Sequence, residues 1–390
     1  MTYLYLISFT FIIAGLILLL FLILQGKKKP FKLIKNTNCH YAVCIPAKDE
    51  SKVIESLLIS LSKQANMQDV YIVVEDPFDP TIDIAKRYKA NIFIRTSHNK
   101  NRKGYAIDEL IKDILKNKQY DLYFIFDADN ILEDNYIAKM LKCYKKGYEV
   151  ATGYRNIKNN YNIVANSSIL TFSMINNFIN KHRNRLNKPI TLSGTGLYIS
   201  GNLINKWQGF PFHCLTEDYE LSLYLSANNI ASYYDDSACF FDEQPTNLKT
   251  SIQQRTRWIK GFLEARKKRL GDINDFGKLI GIIPYLFILL GLGIIISSNI
   301  INLIYCLIIN NKYCFTILGN IIISLFIFLF ILIIVTIIIL LIDKKLNITI
   351  KQKRQLIFYH PLFLLTYIIC FIKAITTKDM SWGNIKHGED

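Results

Sequence analysis

Long stretches without charge set the strongest limit on how this chain can fold. Residues 3–24 contain no charged side chain, and residues 279–309 and 313–342 repeat the pattern at greater length. An apolar helix of about 20 residues spans the hydrocarbon core of a bilayer. A shorter segment, residues 355–372, is a weaker fourth candidate. The sequence therefore predicts a membrane protein with one apolar segment before a polar region and the others after it.

The first apolar segment is predicted to be a retained anchor. It has no basic region before it, and no small-residue cleavage site precedes Lys27, so it does not resemble a signal peptide. Basic side chains follow it at residues 27–35 and precede the second segment at residues 255–269. This positive-inside pattern suits an anionic leaflet surface. The net charge of +16 is therefore assigned to membrane lipids and not to nucleic acid, and the polar region is expected in the cytosol.

The cysteines and histidines do not suggest a metal centre. The eight cysteines form no C-x-x-C pair, and the six histidines form no cluster. Neither a zinc site nor a disulfide framework is predicted, and reduced cysteines in a cytosolic domain are expected.

Short apolar strands alternate with amphipathic stretches in the polar region. Predicted strands lie at residues 41–46, 70–74, 90–94 and 122–126, each followed by a predicted turn or helix. This alternation predicts a mostly parallel, Rossmann-like α/β sheet. Open α/β sheets bind ligands beyond the carboxyl ends of their strands. We therefore expect the functional residues at that edge.

The strand at residues 122–126 runs directly into two carboxylates that are separated by one residue. Asp127 and Asp129 could hold Mg²⁺ or Mn²⁺ through hard oxygen ligands. Asp and Asn after a strand are also ordinary turn formers, so this pair alone leaves both interpretations open. Asp76 closes another predicted strand at the same edge. It could accept a hydrogen bond from a nucleobase or ribose, or form a turn before Pro77.

Two glycine-containing segments are further candidates for substrate contact. The segment R-K-G-Y at residues 102–105 places two cations before a predicted helix, where Lys103 could meet base or phosphate groups. A solvated loop is the alternative. The segment S-G-T-G interrupts a predicted strand at residues 192–199, and glycines inside a strand often mark the close approach of a ligand. The candidates in this second segment are Gly194, Thr195 and Gly196.

A T-E-D triplet at residues 216–218 has two explanations. Thr216 could cap a helix that carries both acids in its first turn, which is a sufficient structural reason. The functional alternative is that Asp218 acts as general base on an acceptor hydroxyl. Glu217 would then orient it or take part in the acceptor site.

An amide, a guanidinium and an indole share one face of a predicted basic helix that begins near residue 247. Gln254, Arg257 and Trp258 lie at positions i, i+3 and i+4. A membrane surface favours basic residues together with Trp, which is one explanation. The other is that these groups stack on a sugar and hold a leaving diphosphate.

In this order, the motifs resemble the signatures of membrane-embedded family 2 glycosyltransferases. The D-x-D, T/S-E-D and Q-x-x-R-W signatures occur in hyaluronan, chitin, cellulose and poly-N-acetylglucosamine synthases. The resemblance spans residues 42–261 and includes I-P-A-K-D-E at residues 45–50 and R-K-G at residues 102–104. One apolar segment before the domain and about three after it are similar to the arrangement in chitin-oligosaccharide synthases.

The resemblance implies a GT-A fold, a nucleotide-diphosphate sugar donor and an inverting transfer. At the matching positions, Asp76 and Asp127 would contact the nucleoside, and Asp129 would bind Mg²⁺ or Mn²⁺. Asp218 would be the base. The residues that would hold the diphosphate and cap an acceptor channel are Gln254, Arg257 and Trp258.

The C-terminal tail carries a weaker similarity. Residues 381–384 read S-W-G-N and resemble the W-G-T-R gating segment of hyaluronan synthases, which makes Trp382 a candidate substrate contact. The Arg of that pattern is missing, although Lys386 or His387 could substitute. If the tail reaches the site, residues 355–372 form an interfacial helix and not a fourth span. Counting Lys and Arg does not decide this, because both flanks are basic.

These expectations divide the chain into five parts. They are an anchor (1–26), a cytosolic GT-A domain (27–246), interfacial helices (247–278), transmembrane or interfacial helices (279–375) and a tail (376–390). The expected function is an inverting, metal-dependent and processive transfer from a UDP-sugar, UDP-GlcNAc or UDP-glucose, that extends a β-linked polysaccharide and passes it through the cell membrane. The alternatives are a single transfer to a lipid acceptor and a non-catalytic export or binding protein. A growing glycan or lipid-linked acceptor is the expected partner, and an accessory subunit is left open.

Overall fold

An eight-stranded mixed sheet organises the polar region of the protein. The computed structural model describes residues 2–24, 39–97, 100–269, 283–308 and 314–377. The strands are β1 (Tyr41–Pro46), β2 (Val70–Val74), β3 (Asn91–Ile94), β4 (Leu122–Ile125), β5 (Ile131–Leu132), β6 (Val150–Ile157), β7 (Leu197–Ser200) and β8 (Ser232–Asp242). Their order in the sheet is β3-β2-β1-β4-β7-β6-β8-β5.

The first four strands of that order are parallel and the rest are mixed. β3, β2, β1 and β4 run in one direction, and β7 pairs antiparallel with both β4 and β6. β8 is parallel to β6 and antiparallel to β5. The predicted α/β fold with four initial strands is confirmed, although the sheet is less uniformly parallel than predicted.

Helices cover both faces of the sheet and continue into the apolar segments. In the polar region they are α2 (Ile54–Ser62), α3 (Thr81–Arg87), α4 (Lys103–Asn117), α5 (Tyr136–Lys145), α6 (Ile163–Met174), α7 (Lys181–Arg185), α8 (Gly201–Trp207), α9 (Glu217–Ala227) and α10 (Leu248–Lys268). The apolar segments form α1 (Thr2–Leu24), α11 (Ile283–Ile308), α12 (Cys314–Ile342) and α13 (Ile350–Thr376). A π-helical turn, Ile175–Asn180, joins α6 to α7.

Alternating side chains of the central strands supply two hydrophobic cores. In β4, Phe124 packs on one side with α2, α3 and α5, while Tyr123 and Ile125 pack on the other side with α4 and α8. This alternation follows from the two-residue repeat of a strand. With both faces covered, the binding edge is left at the carboxyl ends of the parallel strands.

The last strand differs from its prediction. From the sequence, residues 230–234 and 238–242 predict two separate short strands. They form one long strand, β8, with an irregularity opposite Gly153 and Tyr154. A bulge of this kind absorbs extra residues without ending the strand. β8 therefore reaches the functional edge with Asp242 as its last residue.

Among the described residues, two helices are long and apolar enough to cross a membrane. They are Thr316–Ile342 within α12, and α13. Shorter apolar helices are Leu6–Leu18 and Gly293–Ile308, and α1 packs against α11. The weaker fourth candidate of the sequence is a helix of 27 residues, longer than predicted at both ends.

Candidate active site

A cleft of about 320 Å³ lies at the carboxyl edge of the parallel strands. It collects side chains from the loop after β4, from the start of α4, from the start of α9 and from α10. Most of the residues that the sequence singled out lie in its wall. They are Lys103, Asp127, Asp129, Gly194, Glu217, Asp218, Gln254, Arg257 and Trp258.

Three carboxylates form an acidic cluster in this cleft. Single oxygen atoms of Asp127, Asp129 and Asp242 all lie within 4.8 Å of one another. Asn130 joins two of them, because its Nδ2 donates to Asp129 Oδ1 at 3.1 Å and to Asp242 Oδ1 at 2.8 Å. Hard carboxylate oxygens at this separation are the donor set that Mg²⁺ or Mn²⁺ prefers, so the residues fit such an ion.

The sequence reasoning did not find Asp242. The signal was present, since Phe240 and Phe241 run into Asp242 as Phe126 runs into Asp127. Only the fold shows that these two strand ends converge on one acidic cluster, because β7 and β6 lie between β4 and β8 in the sheet.

Arg155 is a second residue that the sequence reasoning missed. Its Nε and Nη2 atoms donate to Asp242 Oδ2 at 3.0 and 2.5 Å, and its Nη1 donates to Ser193 O at 2.9 Å. The guanidinium lies 3.8 Å from the centre of the Phe172 ring. A lone Arg within β6 carries no sequence signal. Its position places a fixed cation in the cleft beside the acidic cluster.

Lys103 stands between the acidic cluster and the T-E-D segment. Its Nζ lies 2.5 Å from Asp127 Oδ1 and 3.5 Å from Glu217 Oε1, and it donates to Gly194 O at 2.8 Å. Burial opposes the charge of this lysine, but Asp127 and Glu217 outweigh it and raise the pKa of Lys103. The ammonium group therefore stays charged and links three segments of the cleft.

The T-E-D segment is not explained by helix capping. The side chain of Thr216 makes no cap hydrogen bond at the start of α9, and its hydroxyl is buried without a partner in the described residues. Burial raises the pKa of Glu217 to about 7, with Lys103 opposing and Asp218 adding to the rise. Burial also raises the pKa of Asp218, against the hydrogen bond that its Oδ1 accepts from Tyr219 N at 2.8 Å. Both acids thus titrate closer to neutrality than usual.

The open side of Asp218 faces a glycine. A Cβ atom on Gly194 would lie 3.5 Å from Asp218 Oδ2, and Gly194 has a φ of +83° that few other residues adopt. This glycine leaves space in front of the carboxylate. The predicted approach of a ligand at Gly194 is therefore sterically possible.

The predicted face of α10 borders the cleft. Burial lowers the pKa of Arg257, while Glu217, Asp127 and Asp218 offset part of that effect. Trp258 packs edge-on against Phe172, with ring centres 5.5 Å apart. These contacts give the cleft one wall with a cation and an aromatic ring.

Three predicted site residues do not line the cleft, and a fourth falls outside the described residues. Asp76 is exposed at the end of β2 and does not line the cleft. Its Oδ1 accepts a hydrogen bond from Phe78 N at 2.8 Å, as the turn interpretation predicted. Trp382 lies outside the described residues, and so does the rest of the predicted gating segment at residues 381–384. Contact of either residue with substrate stays a prediction.

The other two, Thr195 and Gly196, lie behind the cleft wall. Thr195 is buried and its Oγ1 accepts a hydrogen bond from Asp127 N at 2.8 Å, so it supports the D-A-D loop from behind. A Cβ atom on Gly196 would lie 2.2 Å from the ring of Phe240. Gly196 thus closely approaches a side chain of β8, and its contact with a ligand stays a prediction.

Comparisons with known proteins agree with this geometry. A sheet of this order with an acidic edge belongs to the GT-A-like α/β folds. The mannosyltransferase PcManGT from Pyrobaculum calidifontis, solved with GDP-Man and Mn²⁺, matches with a TM-score of 0.59 and 13% identity, covering 96% of this chain and 100% of that chain. The likeness confirms the predicted fold.

The family is shown by the sequence match. The model of the glycosyltransferase like family 2 matches residues 38–261, and this chain belongs to that family. It is 22% identical over 311 residues to the poly-β-1,6-N-acetyl-D-glucosamine synthase of Staphylococcus epidermidis, covering 75% of this chain and 74% of the relative. It is 23% identical over 295 residues to the probable glycosyltransferase YdaM of Bacillus subtilis, with 68% and 66% covered. The protein is therefore a glycosyltransferase, as predicted.

Proposed function

We propose that this enzyme is an inverting, metal-dependent transferase that uses a UDP-sugar and extends a β-linked polysaccharide. The observation that carries the proposal is the convergence in one cleft of a half-buried carboxylate, an acidic cluster and fixed cations. Asp218 is the carboxylate, and Lys103, Arg155 and Arg257 are the cations. Glycosyl transfer needs these parts, because a hydroxyl must lose a proton while a diphosphate leaves.

In the proposed transfer step, Asp218 accepts the proton of the acceptor hydroxyl. The acceptor oxygen forms a bond to the anomeric carbon of the donor while the bond from that carbon to the diphosphate breaks. The hydroxyl proton passes to Asp218, and the diphosphate leaves with its electron pair. The raised pKa of Asp218 supports this role, because a base with a pKa closer to the working pH binds a proton more readily. A single displacement of this kind inverts the configuration.

The acidic cluster is assigned two roles. Asp129 and Asp242 share Asn130, and we assign Mg²⁺ or Mn²⁺ to this pair. Asp127 is paired with Lys103, and we assign it to the nucleoside side of the donor. When bound, the cation would neutralise charge on the donor diphosphate. Arg257 lines the cleft from α10 and would receive the leaving group through its planar fork of donors.

The aromatic wall of the cleft and the names of the relatives support the choice of donor and acceptor. Phe172 and Trp258 give a surface on which a sugar ring can stack. The relative named poly-β-1,6-N-acetyl-D-glucosamine synthase supports UDP-GlcNAc as donor, with UDP-glucose next. Transfer of one sugar to a lipid acceptor is the alternative. It is favoured by the contact of α10, which borders the cleft, with the apolar helix α13.

The experiment that tests the proposal uses the full-length protein in membranes. A panel of UDP-sugars with Mg²⁺ or Mn²⁺ identifies the donor by UDP release and by product size. We expect Asp218→Asn to lower turnover by roughly 10² to 10⁴-fold. Binding of UDP with Mn²⁺ should persist in that variant, because the acidic cluster is unchanged. Near-normal turnover of Asp218→Asn would refute the assignment of the base.

Product size distinguishes the two acceptors. Polymer that is retained with the membranes or is too large to extract into organic solvent supports chain extension. If only short, lipid-extractable products form with every donor of the panel, polymer synthesis is wrong and the single-transfer alternative holds.

A further inference from the structure

The cleft-facing stripe of α10 continues beyond the Q-x-x-R-W motif. Gln254, Arg257 and Trp258 are followed on the same helical face by residues spaced three and four apart. These later residues contact the segment that leads into α9, where Asp218 lies. They are Gly261, Glu264, Ala265 and Lys268.

Gly261 allows α10 to approach that segment closely. A Cβ atom on Gly261 would lie 2.8 Å from Thr216 N and 2.7 Å from Thr216 Oγ1. No ordinary side chain fits at such distances. The helix backbone therefore rests almost directly on the residue that precedes the two acids of the site.

Glu264 connects α10 to two parts of the catalytic machinery. Its Oε1 accepts a hydrogen bond from Arg102 Nη1 at 2.7 Å, and its Oε2 accepts one from Leu215 N at 3.1 Å. Arg102 Nη1 also donates to His213 O at 3.0 Å. Leu215 lies three residues before Asp218, and Arg102 immediately precedes the cleft cation Lys103. One carboxylate thus touches the approach to the base and the start of α4.

A second ionic contact fixes the end of the same stripe. Lys268 Nζ lies 2.8 Å from Glu220 Oε1, and Arg269 Nη2 lies 3.3 Å from the same oxygen. Glu220 is buried, and its other oxygen accepts hydrogen bonds from His213 N and Cys214 N. The loop before Asp218 is therefore held to α10 at successive turns.

We propose that Glu264 is a positioning residue for sugar transfer. It fixes the separation between the wall that carries Arg257 and Trp258 and the wall that carries Asp218. This inference rests on the role proposed for Asp218. Arg102 and Glu264 are about one-third exposed, with 33% and 35% of their side-chain surface accessible. An ion pair with that exposure adds little to folding stability. We therefore assign its role to holding the two walls of the cleft at a fixed separation.

Variants of Glu264 separate positioning from stability. Glu264→Ala removes both contacts, and we expect kcat to fall by about 10-fold or more, because small misplacement of reacting groups is costly. The affinity for UDP with Mn²⁺ and the melting temperature should stay close to those of the wild type. Glu264→Gln keeps an amide oxygen for Leu215 N, and we expect it to recover most of the kcat.

Glu133→Ala is the matched control. Glu133 pairs with Lys139 at 2.8 Å at comparable exposure and does not line the cleft. Its variant should transfer sugar at the wild-type rate. The inference is overturned if Glu264→Ala keeps the wild-type kcat, or if it loses affinity for UDP and keeps its kcat. It is also overturned if kcat falls as much in Glu133→Ala as in Glu264→Ala.

Asp218→Asn, measured in the same membranes with the same donor, separates the two proposals. If Asp218→Asn is inactive and Glu264→Ala is normal, only the positioning role fails. If Asp218→Asn is active, the proposed base fails, and the inference that rests on it fails too.

Discussion

At the residue scale, the charge balance of the cleft depends on Lys103. This one ammonium group contacts Asp127 and Glu217. Its charge offsets part of the rise that burial causes in the pKa values of Glu217 and Asp218. Burial acts in the opposite direction on both acids. The proposed base, Asp218, must be ionised to accept a proton, so we expect the rate to rise with pH as the carboxylates of the cleft lose their protons.

Replacing Lys103 should move that rise toward higher pH. Without this cation, burial is opposed by one positive charge fewer, and we expect Lys103→Met to shift the acid limb of the kcat/KM profile upward by roughly one pH unit or more. The measurement is the pH dependence of UDP release with the best donor. Lys112→Met, which removes an exposed lysine of α4, should leave the limb unmoved. A limb at the wild-type position or lower in Lys103→Met would contradict this account.

Single residues also show how much of the candidate site could be predicted from the sequence. Asp127, Asp129, Asp218 and Arg257 stand out because strand ends, triplets and helical spacing are local patterns. Asp242 belongs to the same acidic cluster, yet it lies more than a hundred residues from Asp129 in the sequence. The strand order of the sheet brings the two side chains together.

Glu264 and Thr195 illustrate the same limit in opposite ways. Glu264 is one charged residue of a basic helix, and nothing local indicates that it contacts Leu215 and Arg102. Thr195 was selected by its glycine neighbours, but its hydroxyl supports the backbone of Asp127. Contacts between distant segments decide both cases.

At the scale of elements, a buried carboxylate holds α12 to the sheet. Asp343 follows the last residue of α12 and accepts hydrogen bonds from Tyr154 Oη at 2.8 Å, Ser173 Oγ at 2.5 Å and Asn177 Nδ2 at 2.9 Å. Tyr154 belongs to β6, and Ser173 belongs to α6. The apolar helix and the polar domain therefore meet at a fixed point, although both were predicted only as separate segments.

Loss of Asp343 should loosen that junction. Asp343→Ala leaves the buried groups of Tyr154 and Ser173 without an acceptor, at a cost of roughly 1–3 kcal/mol for each. We expect a lower melting temperature in detergent and faster proteolysis between the domain and α12. Asp343→Asn, which keeps an acceptor, should lie between it and the wild type, and Lys344→Ala at the exposed next residue should have no effect. An unchanged melting temperature for Asp343→Ala would refute this role.

At the scale of the whole molecule, α13 lies along the polar domain for its full length. Gln352 near its start donates to Asn160 O. At its other end, Cys370 contacts Ile252 O at 3.7 Å, and Lys260 Nζ donates to Thr377 O at 2.6 Å. Between them, Arg255 of α10 stacks on Phe363 and Tyr367, 3.9 and 4.6 Å from their ring centres.

The surface of α13 is amphipathic in a way that suits a bilayer surface. Phe358, Leu362 and Ile369 are exposed on one side, while Leu356 and Phe363 are buried against the domain. A helix that lies in the interface shows this pattern, whereas a spanning helix separates its two ends by the bilayer thickness. The sequence could not decide between these arrangements, because basic residues flank both ends.

We therefore expect α12 to cross the membrane and α13 to lie on the cytosolic surface beside the catalytic domain. An epitope tag at the C-terminus should be protected from added protease in intact cells and cleaved in inverted vesicles, as should a site in the polar domain. A tag inserted between α11 and α12 should behave in the opposite way, since the far end of α12 points to Asp343 and the domain. Cleavage of the C-terminal tag in intact cells, with the domain still protected, would mean that α13 spans the bilayer. It would also exclude the tail from the active site.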